Sequence, residues 1–195
     1  MLQQPAFPED GLLQLVIPSL EHLDDYAEAL RRGWSPDNVR SEETRRDELA
    51  RLEVDPEGFV ARLDDREAKG GPITLPNGSE VPRLPGYRRW MWDSGFCGSI
   101  GFRWQPGTEA LPPYVLGHIG YAVVPWKRGR GYATRALALL LPQARKEGLR
   151  FVELTTDPDN IPSQKVITSN GGVIVKRFRK EAYGNTEALL FRITL

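Results

Sequence analysis

The sequence predicts a mixed α/β fold with one crossover helix near its middle, and three observations carry that expectation. Short β-branched or alternating apolar runs recur along the 195-residue chain. Helical spacing is concentrated in an acidic stretch over residues 20–69 and an Ala/Leu-rich stretch after position 131. Between a valine-rich strand and that second stretch lies VVPWKRGRGYAT, a turn dense in glycine and basic side chains.

Composition bounds the rest. Hydrophobic residues make up 40% and charged residues 27%, which places a single soluble, globular domain over residues 1–195. No apolar run approaches the roughly 18–20 residues a bilayer span needs, and MLQQPAFPEDGLLQLVIP lacks the pattern of a secretory signal, so no membrane partner is expected. The one cysteine, Cys97, excludes an internal disulfide and points to a reducing, cytoplasmic setting. Its apolar neighbours make it a core thiol rather than a nucleophile. Formal net charge is zero but uneven: residues 1–70 hold 17 acids against 9 bases, and the remainder 9 against 17. That neutrality, with a pI near 6.8, argues against a nucleic-acid partner.

Taken in order, Gly11–Pro18 reads as a first strand closed by its proline. Ser19 sits as an N-cap before Leu20, Leu23, Tyr26 and Leu30 at helical spacing. A second helical region spans about 38–69, with Leu49, Leu52, Phe59, Val60 and Leu63 as apolar positions and Pro56 breaking it in two. Residues 70–86, with four prolines and Asn77-Gly78, form a hairpin-like loop, either a lid or an insertion. YRRWMWDSGFCGSIGFRW is an antiparallel hairpin turning at Asp93-Ser94-Gly95, with Phe96, Ile100, Phe102 and Trp104 expected on one face. A strand over 117–125 leads through the glycine-rich turn into a helix of about 18 residues containing Pro142. RFVELTTD (strand), IPSQKVITSN (helix), GGVIVKRFR (strand), a turn at 183–185 and EALLFRITL (strand) close the chain.

A helix N-terminus offers unpaired N–H groups and the positive end of a dipole, so it binds phosphate readily. Gly129 and Gly131 remove Cβ atoms that would hold a ligand away from the backbone, and Arg128 and Arg130 add bidentate donors. A nucleotide-triphosphate P-loop is excluded, because Tyr132-Ala133-Thr134 stands where Gly-Lys-Ser/Thr is needed. A dinucleotide-binding fold is improbable: Thr134 replaces the third glycine, and no further βαβ units follow.

The pattern that fits is Arg-x-x-Gly-x-Ala, filled by Arg128-Gly129-Arg130-Gly131-Tyr132-Ala133. It resembles the pyrophosphate-binding motif of the GNAT superfamily of acyl-CoA-dependent N-acyltransferases. A second segment, DPDNIPSQKVITSNGG, resembles that family's Asn-x-x-Ala/Ser…Asn-Gly-Gly/Phe signature through Asn160, Ser163, Asn170 and Gly171. The order of elements agrees along essentially the whole chain. The resemblance implies a mostly antiparallel seven-stranded sheet, splayed between its fourth and fifth strands and flanked by about four helices. It implies acetyl-CoA as co-substrate and no metal. Backbone groups of Val123 and Val124 would grip the pantetheine, and those from Arg128 to Thr134 would cradle the pyrophosphate, with Lys127, Arg128 and Arg130 offsetting charge. Asn160 and Ser163 would face the cofactor across the splay.

The implied reaction is direct attack of a primary amine on the thioester, through a tetrahedral intermediate, without a covalent enzyme intermediate. Many members carry a tyrosine four residues after the small residue of the second motif, where this chain has Ile167. Tyr183 or Tyr121 is the candidate replacement acid, and water is the other proton source. His118 and Glu153 are the candidate bases. In the family the first two helices border the acceptor site. Their acidity here suggests a cationic acceptor, either a small molecule or a peptide amine, and a homodimer is possible. The competing class is a non-catalytic acyl-CoA-binding or sensor domain on the same fold.

Overall fold

The computed structural model describes residues 13–195; positions 11 and 12 of the expected first strand lie outside them. The elements run β1 (Gln14–Val16), α1 (Leu23–Arg31), α2 (Ser41–Val54), α3 (Pro56–Ala61), β2 (Asp64–Asp65), β3 (Ile73–Thr74), β4 (Glu80–Val81), β5 (Gly86–Trp92), β6 (Phe96–Arg103), β7 (Ile119–Val123), α4 (Tyr132–Lys146), β8 (Phe151–Thr156), α5 (Ile161–Thr168), β9 (Val173–Lys180) and β10 (Thr186–Thr194). Seven strands exceed two residues, and five α-helices flank them. One antiparallel sheet has the order β1-β5-β6-β7 with β2 also on β5; a second has the order β8-β10-β9. Among the described residues no ladder joins β7 to β8, so the expected splay is a full separation into two sheets.

The local causes are readable in the sequence. Pro56 sits at the start of α3, and the Asp55 carboxylate accepts the Gly58 N–H at 2.9 Å, so the acidic helical region restarts at a cap. It ends at Ala61 rather than near 69, because Asp64 and Asp65 pair with Tyr87 and Gly86 of β5. Ser19 does not cap an α-helix. A short 3₁₀ turn over Leu20–His22 intervenes, and the Ser19 hydroxyl bonds the His22 ring at 2.7 Å. Residues 70–86 form the short β3–β4 hairpin around Asn77-Gly78. Helix α4 passes through Pro142 unbroken.

Two apolar layers sandwich the first sheet. On one side Leu137, Leu140 and Ala144 of α4 and Ile167 of α5 pack with Ile100, Phe102 and Ile119, and this core continues onto Leu154, Phe191 and Ile193 of the second sheet. On the other side Tyr26, Leu30, Trp34, Leu52 and Phe59 pack on Trp90, Phe96, Ala122 and Val124. Phe96 thus lies opposite Ile100, Phe102 and Trp104 instead of beside them. A register shift between Met91 and Trp92, opposite Gly98 and Phe96, inserts a residue and turns Phe96 to the α1 face.

The two sheets meet at one backbone junction. The His118 N–H donates to the Glu153 carbonyl at 2.7 Å, and the Glu153 N–H donates back to His118 Nδ1 at 3.0 Å. The Thr155 hydroxyl donates to the Leu116 carbonyl. Gly117 permits this approach: a Cβ there would lie 2.9 Å from the Glu153 oxygen and 3.2 Å from the Leu154 Cα. Gly117→Ala should therefore destabilise the fold by about 2 kcal/mol, read from urea unfolding at neutral pH.

Candidate active site

Beyond the junction the strands part, and among the described residues β7 has no strand partner on its outer edge. The Val124 N–H donates to the Cys97 carbonyl at 3.0 Å, so antiparallel alternation turns the backbone of Tyr121 and Val123 toward the opening. Of the two valines singled out in the sequence, Val123 faces the opening; Val124 is fully buried, and its amide belongs to the sheet. The carbonyls in the opening are met by side chains: Asn38 Nδ2 donates to Tyr121 O at 3.3 Å, and Arg128 Nε donates to Val123 O at 3.2 Å.

At the end of β7 the chain enters α4 through Gly129 and Gly131, both at φ +77, a left-handed conformation that glycine adopts without strain. A Cβ on either would meet nothing within 4 Å. Gly131 is the N-cap, no side chain caps the helix, and its first turn carries no acid. The first intrahelical bond runs from Arg135 N–H to Gly131 O, so the amides of Tyr132, Ala133 and Thr134 have no acceptor within the helix. Open space, free N–H groups and a positive dipole end together give this turn the chemistry to accept an anion.

This turn is anchored by a residue that sequence reasoning missed. The Tyr132 hydroxyl donates to Asp93 Oδ2 at 2.5 Å, and Lys127 Nζ donates to the Asp93 carbonyl and approaches Cys97 Sγ, both at 3.4 Å. Lys127 therefore holds the β5–β6 turn, while Arg128 and Arg130 are exposed beside the glycines. The only sequence signal for Asp93 was its place in a tight turn. Cys97 is fully buried, and that burial pushes its thiol up, in keeping with a core role.

Across the opening, Asn160 caps α5, its Oδ1 accepting the Ser163 N–H at 3.1 Å. The Ser163 hydroxyl shares a 2.9 Å hydrogen bond with the Tyr121 hydroxyl, which bridges β7 to α5, and burial pushes Tyr121 up to about 12. Asn170 donates to the Thr134 and Val166 carbonyls, tying α5 to the first turn of α4. Ile167 is 1% exposed within the core.

The three candidate proton carriers lie apart from the turn. His118 is 0% exposed, and its Nδ1 accepts the Glu153 amide, which places its proton on a buried Nε2 without a partner. Burial pushes it down to about 4. Glu153 is held by Arg192 at 2.7 Å. The Tyr183 hydroxyl donates to the Tyr114 carbonyl at 2.8 Å, and burial raises its pKa. The geometry thus makes His118 and Glu153 the strand junction itself. Among the described residues no group of three or more His, Cys, Asp or Glu could hold a metal, and no helix is long and apolar enough to cross a membrane.

A separated pair of sheets leading into a glycine-rich helix turn is the arrangement that the two sequence motifs imply. The chain belongs to the GNAT acetyltransferase family: that family's domain model matches residues 13–173. No protein of curated function matches the sequence. Among solved structures, Mycobacterium smegmatis RimJ in complex with CoA-disulfide is 18% identical, with 93% of this chain and 86% of that one covered and a TM-score of 0.60. A Salmonella typhimurium acetyl transferase that modifies the N-terminal serine of ribosomal protein L7/L12 is 16% identical (97% and 98% covered, TM-score 0.58). The microcin C7 self-immunity acetyltransferase MccE, in complex with acetyl-CoA and AMP, is 10% identical (97% and 98%, TM-score 0.56). These likenesses establish the shared fold.

The buried imidazole gives a signed expectation. Above its ordinary 6.5 the ring is neutral in folded and unfolded chains alike. Between 6.5 and about 4 the unfolded chain takes up a proton that the folded chain refuses, so stability falls as pH falls through that window. Unfolding free energy should drop by about 2 kcal/mol more between pH 7 and pH 5 in the wild type than in His118→Gln, measured by urea titration at each pH.

Proposed function

We propose that this protein transfers an acetyl group from acetyl-CoA to a primary amine. The observation that carries the reading is the continuity of the opening with the glycine turn: two outward-facing backbone positions, Tyr121 and Val123, run directly into three uncapped helix amides. An extended amide-bearing arm ending in a pyrophosphate matches that array along its length. The pyrophosphate would lie on the amides of Tyr132, Ala133 and Thr134 over Gly129 and Gly131, with Arg128 and Arg130 beside it. The arm would complete β7 as a strand does, and the Asn160 cap and Ser163 would border it from α5.

In this reading acetyl-CoA supplies the activated acyl group. An amide N–H facing the opening, that of Val123 or Tyr121, would polarise the thioester carbonyl and stabilise the oxyanion formed when a neutral amine attacks. Positioning supplies most of the acceleration. Tyr121 is the proposed acid for the departing thiolate. Its hydroxyl already reaches across the opening to Ser163, and Ile167 leaves α5 without a hydroxyl at the position where family members carry one. His118 and Glu153 are engaged in the strand junction and the Arg192 pair, so the amine would lose its proton to water. The acceptor is proposed to be a small-molecule or peptide amine, reached from the α1–α2 side, and a homodimer stays compatible with this assignment.

Calorimetric titration with acetyl-CoA and CoA, followed by thiol-release assays on an amine panel, tests the reading. Saturable binding and acceptor-dependent thiol release are expected. Absence of binding overturns the reading, and binding without turnover on any amine transfers support to the non-catalytic carrier or sensor class. Tyr121→Phe should lower kcat by about 10²-fold, with acetyl-CoA affinity held within threefold. Gly131→Val, which strains a left-handed position and fills the space over the turn, should weaken CoA binding by at least tenfold.

A further inference from the structure

Three arginines lie on β5 and β6, and two are neutralised. Arg88 Nη1 bonds Glu48 at 2.9 Å and the Tyr26 hydroxyl at 3.0 Å. Arg89 bonds Asp64 at 3.0 Å and lies over the Tyr87 ring. Arg103, the last residue of β6, makes no side-chain hydrogen bond or ion pair with any described residue, although its backbone N–H donates to His118 O at 2.8 Å. Strand alternation sends its side chain to the face opposite Phe102 and Trp104, the face that carries α1 and α2. The floor there is bare. Gly101 pairs with Gly120 in the ladder, and a Cβ on Gly120 would meet only Arg103 Nη2, at 3.8 Å.

The groups around Arg103 are already engaged. Asp37 and Tyr183 lie within its electrostatic reach, as does Arg88. The Asp37 Oδ1 accepts the N–H groups of Val39 and Arg40 at 2.7 and 2.9 Å, and its Oδ2 accepts the Thr44 hydroxyl at 3.4 Å. Tyr183 donates to Tyr114 O. The guanidinium therefore presents its donors over a side-chain-free floor, on the strand pair whose far edge is the opening beside Tyr121 and Val123.

We infer that Arg103 binds a carboxylate of the acceptor, so that the amine substrate is an amino-carboxylate rather than a polycation; this rests on the acetyl-transfer reading of the same site. A monoanion fits better than a phosphate dianion, because Arg88, the cation within electrostatic reach of Arg103, is neutralised by Glu48. Spacing sets the size. With the thioester carbonyl at the Val123 amide, the reacting carbon lies three residues from Gly120, about 10 Å along the strand. Two extended residues span about 7 Å, and a guanidinium–carboxylate bond adds about 3 Å, so amine and carboxylate should be separated by a dipeptide's length. A dipeptide C-terminus or an acidic side chain near a peptide N-terminus presents the same group. Of the acids in this region, Glu42, Glu43 and Glu48 of α2 and Asp64 and Asp65 of β2 are ion-paired.

The test uses matched acceptors in the acetyl-CoA assay: Ala-Gly against Ala-Gly-amide, and Ala-Glu-Ala-amide against Ala-Gln-Ala-amide. The wild type should favour the acid member of at least one pair by about tenfold in kcat/KM, carried mainly in KM. The pair that responds identifies the source of the carboxylate. Arg103→Gln should reduce that ratio to within twofold, Arg103→Lys should retain part of it, and unchanged CoA affinity certifies that each variant is folded. Equal or higher rates for the amides, or a preference that survives in Arg103→Gln, overturn the inference while leaving acetyl transfer intact. Should none of the four be acetylated, binding of the same four to the CoA-loaded protein is measured by calorimetry. Acid-selective binding lost in Arg103→Gln supports the inference, and its absence overturns it. Failure to bind CoA at all removes the underlying reading instead.

Discussion

One junction sets the geometry on which the rest depends. Two sheets share a continuous apolar core, yet among the described residues the backbone hydrogen bond between them is the one from His118 to Glu153, beside Gly117. Cores can run uninterrupted across a gap in hydrogen bonding because burial is non-directional, whereas ladders cannot. The cost falls on β7, whose outward amides at Tyr121 and Val123 lie beyond the junction with no strand beside them. An unpaired amide in a partly buried site costs about 1–3 kcal/mol, so a ligand that offers carbonyls there gains what the fold forgoes. His118 makes the junction possible by standing in for a strand: its Nδ1 accepts the Glu153 amide as a carbonyl would. That role requires a neutral ring, and the apolar surroundings keep it neutral.

The glycine turn depends in the same way on a residue far from it in sequence. Asp93 fixes Tyr132 through its carboxylate and Lys127 through its carbonyl, so the turn is tied to the β5–β6 hairpin on both sides of Gly129 and Gly131. Backbone in a left-handed conformation holds an anion well only when it is held itself. Arg128, reaching back to Val123 O, joins the turn to the strand edge, so one unit contains both the amide edge and the anion cradle.

The sequence revealed what is local. Helix α4, the α2–α3 break at Pro56, the β5–β6 hairpin, the short hairpin around Asn77-Gly78 and the Asn160 cap are each encoded within a few residues of themselves. Two motifs at the right separation supplied the family and the location of the glycine turn. What escaped was non-local. The Met91–Trp92 register shift moved Phe96 to the other face, Asp65 pairing stopped the helical region early, and Val124 exchanged its expected place in the opening for a bond to Cys97. His118 read as a base because an imidazole on a strand near a site has the right intrinsic chemistry; only the fold puts a backbone amide on its Nδ1. The contacts of Asp93 and Tyr121 carried no local signal, since their partners lie 39 and 42 residues away.

The charge asymmetry illustrates why composition misleads about a site. An excess of acid over the first 70 residues suggests a field attractive to cations, but the field is set by how charges pair, not by how they are counted. Glu42, Glu43, Glu48, Asp64 and Asp65 find cations within 4 Å, several of them on the same helix, Asp55 caps α3, and Asp37 accepts the N–H groups of Val39 and Arg40 ahead of α2. Pairing of this kind weakens the local field around the paired groups while leaving the residue count unchanged. What survives at the bare Gly101–Gly120 floor is decided by the charge that was left out of the pairing, and on this face of β5 and β6 that charge is positive. A half-chain that counts as acidic therefore covers a surface where the Arg103 guanidinium, within electrostatic reach of Asp37, has no direct side-chain partner among the described residues.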